Sequence, residues 1–319
     1  YHKKRIILEG IMYYFIVNPN SRSGKGELIW KELRQVLRQK HISYKAVFTK
    51  YRGHAVKLAA VLTEKASPDR PLCLIAVGGD GTIQEVLSGV KDLTNIYFGY
   101  IPTGSGNDFC RSMKLPQDPH EALDCILKKK HIAFVDVPVI SIKGHKSRFA
   151  ISCGIGFDAA VCHEVSVTPM KKVLNHIGLG KLVYLFVALK QLLFMRPVPV
   201  TLRMDEERIY PFQKVYFAAI MNQKYEGGGF KFCPAADPSD GYLDVIVVDG
   251  LSKLKVLCCL PTAFFGKHTQ FTGIHIFRCK NVEVFSSVPL AVHKDGESAG
   301  IQKTFSVSVN KEPVKIILP

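Results

Sequence analysis

The chain reads as a two-domain protein: a Rossmann-like, three-layer α/β domain followed by an antiparallel β-rich domain. Three observations predict this. Apolar runs of strand length alternate with helically spaced segments up to about Val137. Beyond that point the texture changes to short runs with two-residue alternation, punctuated by Gly, Pro and Asp. With 319 residues, the chain is long enough for two ordinary domains. The expected domains are 12–138 and 139–319, with the last strand free to return to the first.

In the first part, Tyr13 to Val17 is an unbroken apolar and aromatic run, read as a buried strand. From Glu27 to Gln39, apolar residues fall at Ile29, Leu33, Val36 and Leu37, which is helical spacing. Tyr44 to Phe48 is a second strand and His54 to Lys65 a second helix. Leu72 to Val77 is a third strand, followed by a helix from Ile83 to about Val90. Tyr97 to Ile101 is a fourth strand. Strands alternating with helices imply a parallel sheet with both faces covered. In the second part, strands are expected at Arg148 to Cys153, Thr201 to Met204, Val215 to Ile220, Tyr242 to Val248, Asn281 to Ser286 and Phe305 to Val309. Together they form a sandwich or barrel. Helices are expected at Lys171 to Met195 and Lys253 to Phe265.

Composition excludes disorder: 47% of residues are apolar and 22% charged. The formal net charge of +16 points to an anionic partner or to a solvated basic surface. Nine scattered cysteines with no Cys-x-x-Cys pair argue against a disulfide framework or a zinc site, and so for a reducing, cytoplasmic setting. The basic, mixed stretch Tyr1 to Gly10 is not a secretory signal. The longest apolar stretch, Leu182 to Met195, is too short to span a bilayer.

The strongest chemical motif is Gly78-Gly79-Asp80-Gly81-Thr82, between a strand and a helix. Its glycines let a ligand approach the main chain, and the helix dipole favours phosphate. Thr82 and Glu85 fit a capping box, which would start the helix at Thr82. Asp80 repels phosphate and suits a cation or its bound water. The first loop, Asn18-Pro19-Asn20-Ser21-Arg22-Ser23-Gly24-Lys25-Gly26, is not a Walker A loop, but its hydroxyls, amides and cations suit phosphate. A third loop, Pro102 to Asp108, again mixes glycines, hydroxyls and a carboxylate. All three leave the same edge of a parallel sheet, where ligands bind. In the second part, Asp237 to Asp244 holds three carboxylates. Read alone this is an Asx-rich turn, and the spacing also suits a hard cation. Asp295-Gly296-Glu297 reads alone as a surface hairpin turn, although an acid at a strand end can also serve as general base. No histidine pair has metal spacing.

Taken in this order, the motifs resemble the diacylglycerol kinase catalytic-domain family, closest to the soluble bacterial lipid kinases, which are related to sphingosine kinases. The Gly78 to Thr82 loop is similar to that of the wider superfamily containing NAD kinases. The Asn18 and Pro102 loops, Gly154-Ile155-Gly156-Phe157-Asp158, Asp240 to Asp244 and Asp295 to Glu297 narrow the resemblance. It implies nucleotide in a cleft between an α/β domain and a β-sandwich. It implies ATP contacts from Asn18, Pro19, Asn20, Ser21, Arg22, Ser23, Gly24, Thr49, Gly78, Gly79, Asp80, Gly81, Thr82, Ile83 and Ser105. It implies Mg²⁺ on Asp237, Asp240 and Tyr242, the last through its carbonyl, with Asp80 joining through water as part of the catalytic set. Asp295 or Glu297 is the implied base, Asp295 being preferred. Ser105 departs from the expected threonine but keeps the hydroxyl, and Lys294 beside the base is a local peculiarity.

The implied activity is ATP- and Mg²⁺-dependent phosphorylation of a lipid hydroxyl, with diacylglycerol first and a sphingoid base, monoacylglycerol or polyprenol as alternatives. A soluble acceptor such as NAD is a rival. So is a non-catalytic, basic nucleic-acid-binding or regulatory module, which would gain nothing from the carboxylates at 80, 240 and 295. Expected partners are a membrane lipid substrate and the anionic inner face of the membrane, touched peripherally, with a homodimer admitted and nucleic acid not. The apolar, basic stretch Met170 to Arg196, with Lys171, Lys172, Lys181 and Lys190, is a membrane-surface helix or a core helix; Val256 to Phe265 is a second candidate.

Overall fold

The computed structural model describes residues 12–22, 24–167 and 180–319. The chain divides into two compact units: Tyr1–Val137 with Pro238–Asp240 and Asn310–Pro319, and Pro138–Asp237 with Gly241–Val309.

In the first unit, β1 (Tyr13–Val17), β2 (Tyr44–Phe48), β3 (Leu72–Gly78), β4 (Ile96–Pro102), β5 (His131–Val135) and the C-terminal β15 (Val314–Leu318) form one sheet in the order β2-β1-β3-β4-β15-β5. All neighbours run parallel except β15 and β5. Every residue of β3 and β4 is buried, as unbroken apolar runs in a sheet covered on both faces require. On one face, α1 (Lys25–Gln39) lays Trp30, Leu33 and Leu37 against Phe15, Val17, Cys73 and Ile75, and α5 (Pro119–Lys128) adds Ala122, Leu123 and Ile126. The other helices of this unit are α2 (His54–Thr63), α3 (Asp80–Gly89) and α4 (Asp108–Ser112). Gly89 lets α2 and α3 close up, since a Cβ there would fall 2.2 Å from the Val56 carbonyl oxygen.

The expected start of α3 at Thr82 is corrected: the helix begins at Asp80, with extended Gly79 as its N-cap. The proposed capping pair is engaged elsewhere. Thr82 Oγ1 accepts from Asn18 Nδ2 at 3.3 Å, and the Glu85 carboxylate accepts from the Gly53 and Ala55 amides at 2.7 and 3.1 Å, holding the start of α2.

The second unit is a nine-stranded antiparallel assembly. Its strands are β6 (Val139–Ile142), β7 (His145–Arg148), β8 (Ser152–Gly156), β9 (Val198–Met204), β10 (Arg208–Met221), β11 (Leu243–Asp249), β12 (Ile274–Cys279), β13 (Asn281–Lys294) and β14 (Glu297–Ser308). The long strands β10 and β13 each change partner along their length. Their first halves pair with β9, and their last residues with β8. In β13 the change falls between Ser286 and Val292, a stretch that includes Pro289, which has no amide for the ladder. Two layers result, enclosing Val200, Leu202, Val215, Ala218, Ile220, Val245, Val284, Val292 and their neighbours. The opposite face of β10 and β11 (Phe217, Ala219, Met221, Ile246 and Val248) packs with residues of α6 (Phe157–Val167), α7 (Gly180–Phe194) and α8 (Lys253–Ala263).

The strand expected at Arg148 to Cys153 is likewise corrected. β7 ends at Arg148 and β8 begins at Ser152, because the amides of Ala150, Ile151 and Ser152 turn to a side chain, that of Asp295. Of the helix expected from Lys171 to Met195, Gly180–Phe194 is helical, and residues 168–179 lie outside the described residues. Among the described residues, no helix is long and apolar enough to cross a membrane.

Candidate active site

The loops after β1, β2, β3 and β4 leave one edge of the parallel sheet and are laced together by backbone bonds. The Asn18 amide donates to the Val77 carbonyl at 2.9 Å, Thr49 to Val17 at 2.9 Å, and Thr103 to Gly78 at 2.7 Å. Side chains tighten the lacing. The hydroxyls of Ser21 and Thr103 lie 2.7 Å apart, and Tyr100 OH stands 3.2 Å from the Gly78 carbonyl and 3.1 Å from Asn107 Oδ1. Asn18 Oδ1 accepts from the Asn20 amide at 3.1 Å, which bends the first loop. Glycine is demanded here by proximity. A Cβ on Gly104 would lie 2.7 Å from Gly79 Cα, and one on Gly78 would lie 2.2 Å from Thr82 Oγ1. The N-caps of α1 and α3, Gly24 and Gly79, contribute no side-chain cap; at α1 the first amides, those of Lys25, Gly26 and Glu27, donate instead to the loop carbonyls of Arg22, Ser21 and Pro19.

Asp80 sits in the first turn of α3. Its carboxylate accepts from the Asp108 and Phe109 amides at 3.1 and 3.3 Å, so it caps α4 and joins the second loop to the third. Asn18, Pro19, Asn20, Ser21, Arg22, Gly24, Thr49, Gly78 to Ile83 and Ser105 therefore belong to one edge, with Ser21, Thr49 and Thr82 buried and Asn20, Arg22 and Ser105 exposed. Ser23 lies outside the described residues.

In the second unit, Asp295 and Gly296 form the two-residue turn joining β13 to β14, both in the left-handed region at φ 48° and 75°. This is a hairpin turn, but its acid is not on the surface: Asp295 is 8% exposed. Its carboxylate accepts from the Ala150, Ile151 and Ser152 amides at 2.8, 2.7 and 3.0 Å, and its own amide donates to the Ser152 carbonyl at 2.8 Å. Burial raises its pKa, and the three amides and Lys294 pull back, leaving it pushed up to about 6. A carboxylate so tuned is ionised near neutrality and basic enough to take a proton. Glu297 opens β14, opposite Lys294.

Asp237, Asp240 and Tyr242 lie in one six-residue loop stretch ahead of β11, where Gly241 at φ 75° makes the turn. Their donors are all oxygen, the set a hard cation such as Mg²⁺ takes. The Tyr242 ring is covered by Arg278 and Lys280, at 4.3 and 5.2 Å from its centroid.

Sequence reasoning alone gave no role to His293 and Glu226. His293 is wholly buried, with Nε2 at 2.9 Å from Asp158 Oδ2 and 3.4 Å from Glu226 Oε1. The partners lie 135 and 67 residues away, so no local spacing could have joined them.

Comparison with known proteins agrees with this architecture. Residues 12–137 match the diacylglycerol kinase catalytic domain, and residues 152–317 the YegS C-terminal NAD kinase beta sandwich-like domain. YtlR of Bacillus subtilis (strain 168) is 28% identical over 95% of this chain and 98% of its own. The diacylglycerol kinase of Mycobacterium tuberculosis (strain ATCC 25618 / H37Rv) is 30% identical over 71% of this chain and 70% of its own. A crystal structure from Bacillus anthracis str. Sterne superposes with a TM-score of 0.74 at 22% identity, covering 100% of this chain and 99% of that one. With both of its units matched, the chain belongs to the diacylglycerol kinase catalytic-domain family.

Proposed function

We propose that this protein transfers the γ-phosphoryl group of ATP, with Mg²⁺, to the hydroxyl of a membrane lipid, diacylglycerol being the first choice. The observation that carries the reading is Asp295: a buried carboxylate with its pKa pushed up to about 6, held at a turn by three amides. In this reading Asp295 accepts the proton of the attacking hydroxyl, and Glu297 stands beside it. The loops at Asn18, Gly78 and Pro102 hold the phosphates on backbone amides and the start of α3, and the Gly79–Gly104 approach keeps side chains out of their way. Asp237, Asp240 and the Tyr242 carbonyl would hold Mg²⁺, which would offset charge developing on the phosphates.

A lipid substrate calls for contact with a bilayer. Phe194, Leu193 and Leu254 are 78%, 67% and 71% exposed, and Lys253 Nζ donates to the Leu193 carbonyl, tying the end of α7 to the start of α8. Phe265 is 74% exposed just beyond α8. With Lys255 and Arg196 nearby in sequence and a net charge of +16, this face suits the headgroups of an anionic membrane. Of the basic residues expected to help, Lys171 and Lys172 lie outside the described residues, as does the side chain of Lys181. Lys190 is paired with Glu164 at 2.7 Å.

The test is to offer labelled ATP and Mg²⁺ with a panel of lipids in mixed micelles and soluble acceptors including NAD. Label in phosphatidic acid supports the reading, label in another lipid changes the acceptor, and label on NAD alone overturns it.

A further inference from the structure

We propose that His293 and Asp158 are positioning residues that hold the Asp295–Gly296 turn in register for proton abstraction. This rests on the reading of Asp295 as the base. Asp295 and Gly296, both at positive φ, form the two-residue turn that an Asp-Gly pair favours, and contacts around it decide where the Asp295 carboxylate is held. Two attachments are already described: the carboxylate of Asp295 on the amides of 150 to 152, and its own amide on Ser152. His293 supplies a third. Its Nδ1 faces the Gly296 amide at 3.3 Å, and its Nε2 meets Asp158, in the first turn of α6, at 2.9 Å. One buried ring thus connects the start of α6 to the residue after Asp295.

The backbone has made room for this contact. A Cβ at Gly154 would lie 2.4 Å from Asp158 Oδ2 and 2.7 Å from His293 Nε2. Any side chain at 154 would drive the two apart, which gives Gly154 a physical reason independent of its backbone angles.

Asp158, Glu226 and His293 also have the donor types of a metal site, their ligand atoms lying within 4.8 Å of one another. The far side of the ring speaks against that use. Metal on Nε2 would place the ring hydrogen on Nδ1, pointing at the Gly296 N–H, whereas second-shell partners of metal-bound histidines are acceptors. The contacts instead fit Nε2–H donated to Asp158 and Nδ1 accepting from Gly296. Burial alone would lower the histidine pKa, but the Glu226 and Asp158 carboxylates outweigh it and push it up to about 9. The extra proton belongs to the three groups together. The Gly296 N–H keeps Nδ1 as an acceptor, so that proton does not sit on Nδ1.

The test compares the whole protein with the double variant His293→Gln/Glu226→Gln, which retains one negative charge in the cluster and a donor toward Asp158 while losing the Nδ1 acceptor. Glu226→Gln alone is the control, and Asp158→Asn is a milder second variant. Hydrogen exchange of the 295–297 amides and steady-state kinetics are read together. The expected result for the double variant is turn exchange at least tenfold faster, kcat lower by about 10- to 100-fold and KM for ATP within twofold. Asp158→Asn is expected to move both readouts the same way by less. An unchanged turn in both variants, or a stoichiometric bound transition metal lost with His293, overturns the proposal. Asp295→Asn, assayed alongside, separates the two readings. If it keeps full turnover, the base assignment falls and takes the catalytic sense of the turn with it. If it is inactive while the double variant's turn stays rigid, this proposal alone falls.

Discussion

Gly79 and Gly104 meet backbone to backbone, so close that a methyl group on Gly104 would sit 2.7 Å from Gly79 Cα. The contact joins the loop after β3 to the loop after β4, where Thr103 N–H already donates to the Gly78 carbonyl. Gly104→Ala must therefore spread the two loops. The expected outcome is a KM for ATP raised at least tenfold and a stability loss of about 1–3 kcal/mol from overpacking. Gly24→Ala is the comparison: at φ 93° nothing lies within 4 Å of the new Cβ, so backbone strain of about 1–2 kcal/mol acts alone. Nucleotide titration and thermal unfolding of both variants check this.

The pKa of Asp295 sets a pH limb. A base pushed up to about 6 is protonated and idle below that pH, so kcat rises as pH passes through about 6 and then levels. The stability effect has the opposite sign. The folded state binds the proton more tightly than the unfolded chain, whose carboxyl keeps the ordinary value of 3.8. Between about 4 and 6 the stability contribution of this group therefore falls as pH rises. A pH–rate profile and unfolding curves on the same protein check both directions.

His293 carries a second pH dependence in a different window. Its pKa rises on folding from 6.5 to about 9, with Glu226, Asp158 and Asp295 as the charged groups facing it. The stability this supplies is complete below about 6.5 and is lost as pH climbs toward 9. Unfolding midpoints measured from pH 6.5 to 9 should fall in the wild type. In the His293→Gln/Glu226→Gln variant that fall should be much reduced.

The exposed apolar face of α7 and α8 predicts membrane affinity. Replacing Phe194, Leu254 and Phe265 together by Ser should reduce co-flotation with anionic vesicles at least tenfold and leave ATP binding measured without lipid unchanged. Flotation unchanged by the triple substitution would move the contact to another face.

How much of this could be read from the chain depends on sequence distance. β1, β3 and β4 were legible because strands buried on both faces must be continuously apolar, and the phosphate-type loops because glycine marks close approach. The ranges of β5 and β15 were not: β5 follows the basic run Lys128–Lys130 and opens on a half-buried histidine, and β15 joins β4 from the far end of the chain. The start of α3 was misplaced by two residues because Thr82 and Glu85 bond to Asn18 and to the start of α2 rather than to their own helix. The burial of Asp295 could not be seen either, since an Asp-Gly turn normally faces water. It is hidden by the 150–152 amides more than 140 residues earlier, the same amides that end the strand expected at Arg148 to Cys153.

The most direct measurement is phosphorylation of diacylglycerol in mixed micelles by the wild type and Asp295→Asn side by side, with ATP affinity determined for both. The account predicts labelled phosphatidic acid from the wild type, a loss of at least a thousandfold in the variant, and ATP affinity within about twofold of the wild type. Equal turnover by the two proteins, or label from the wild type that appears only on a soluble acceptor, would contradict it.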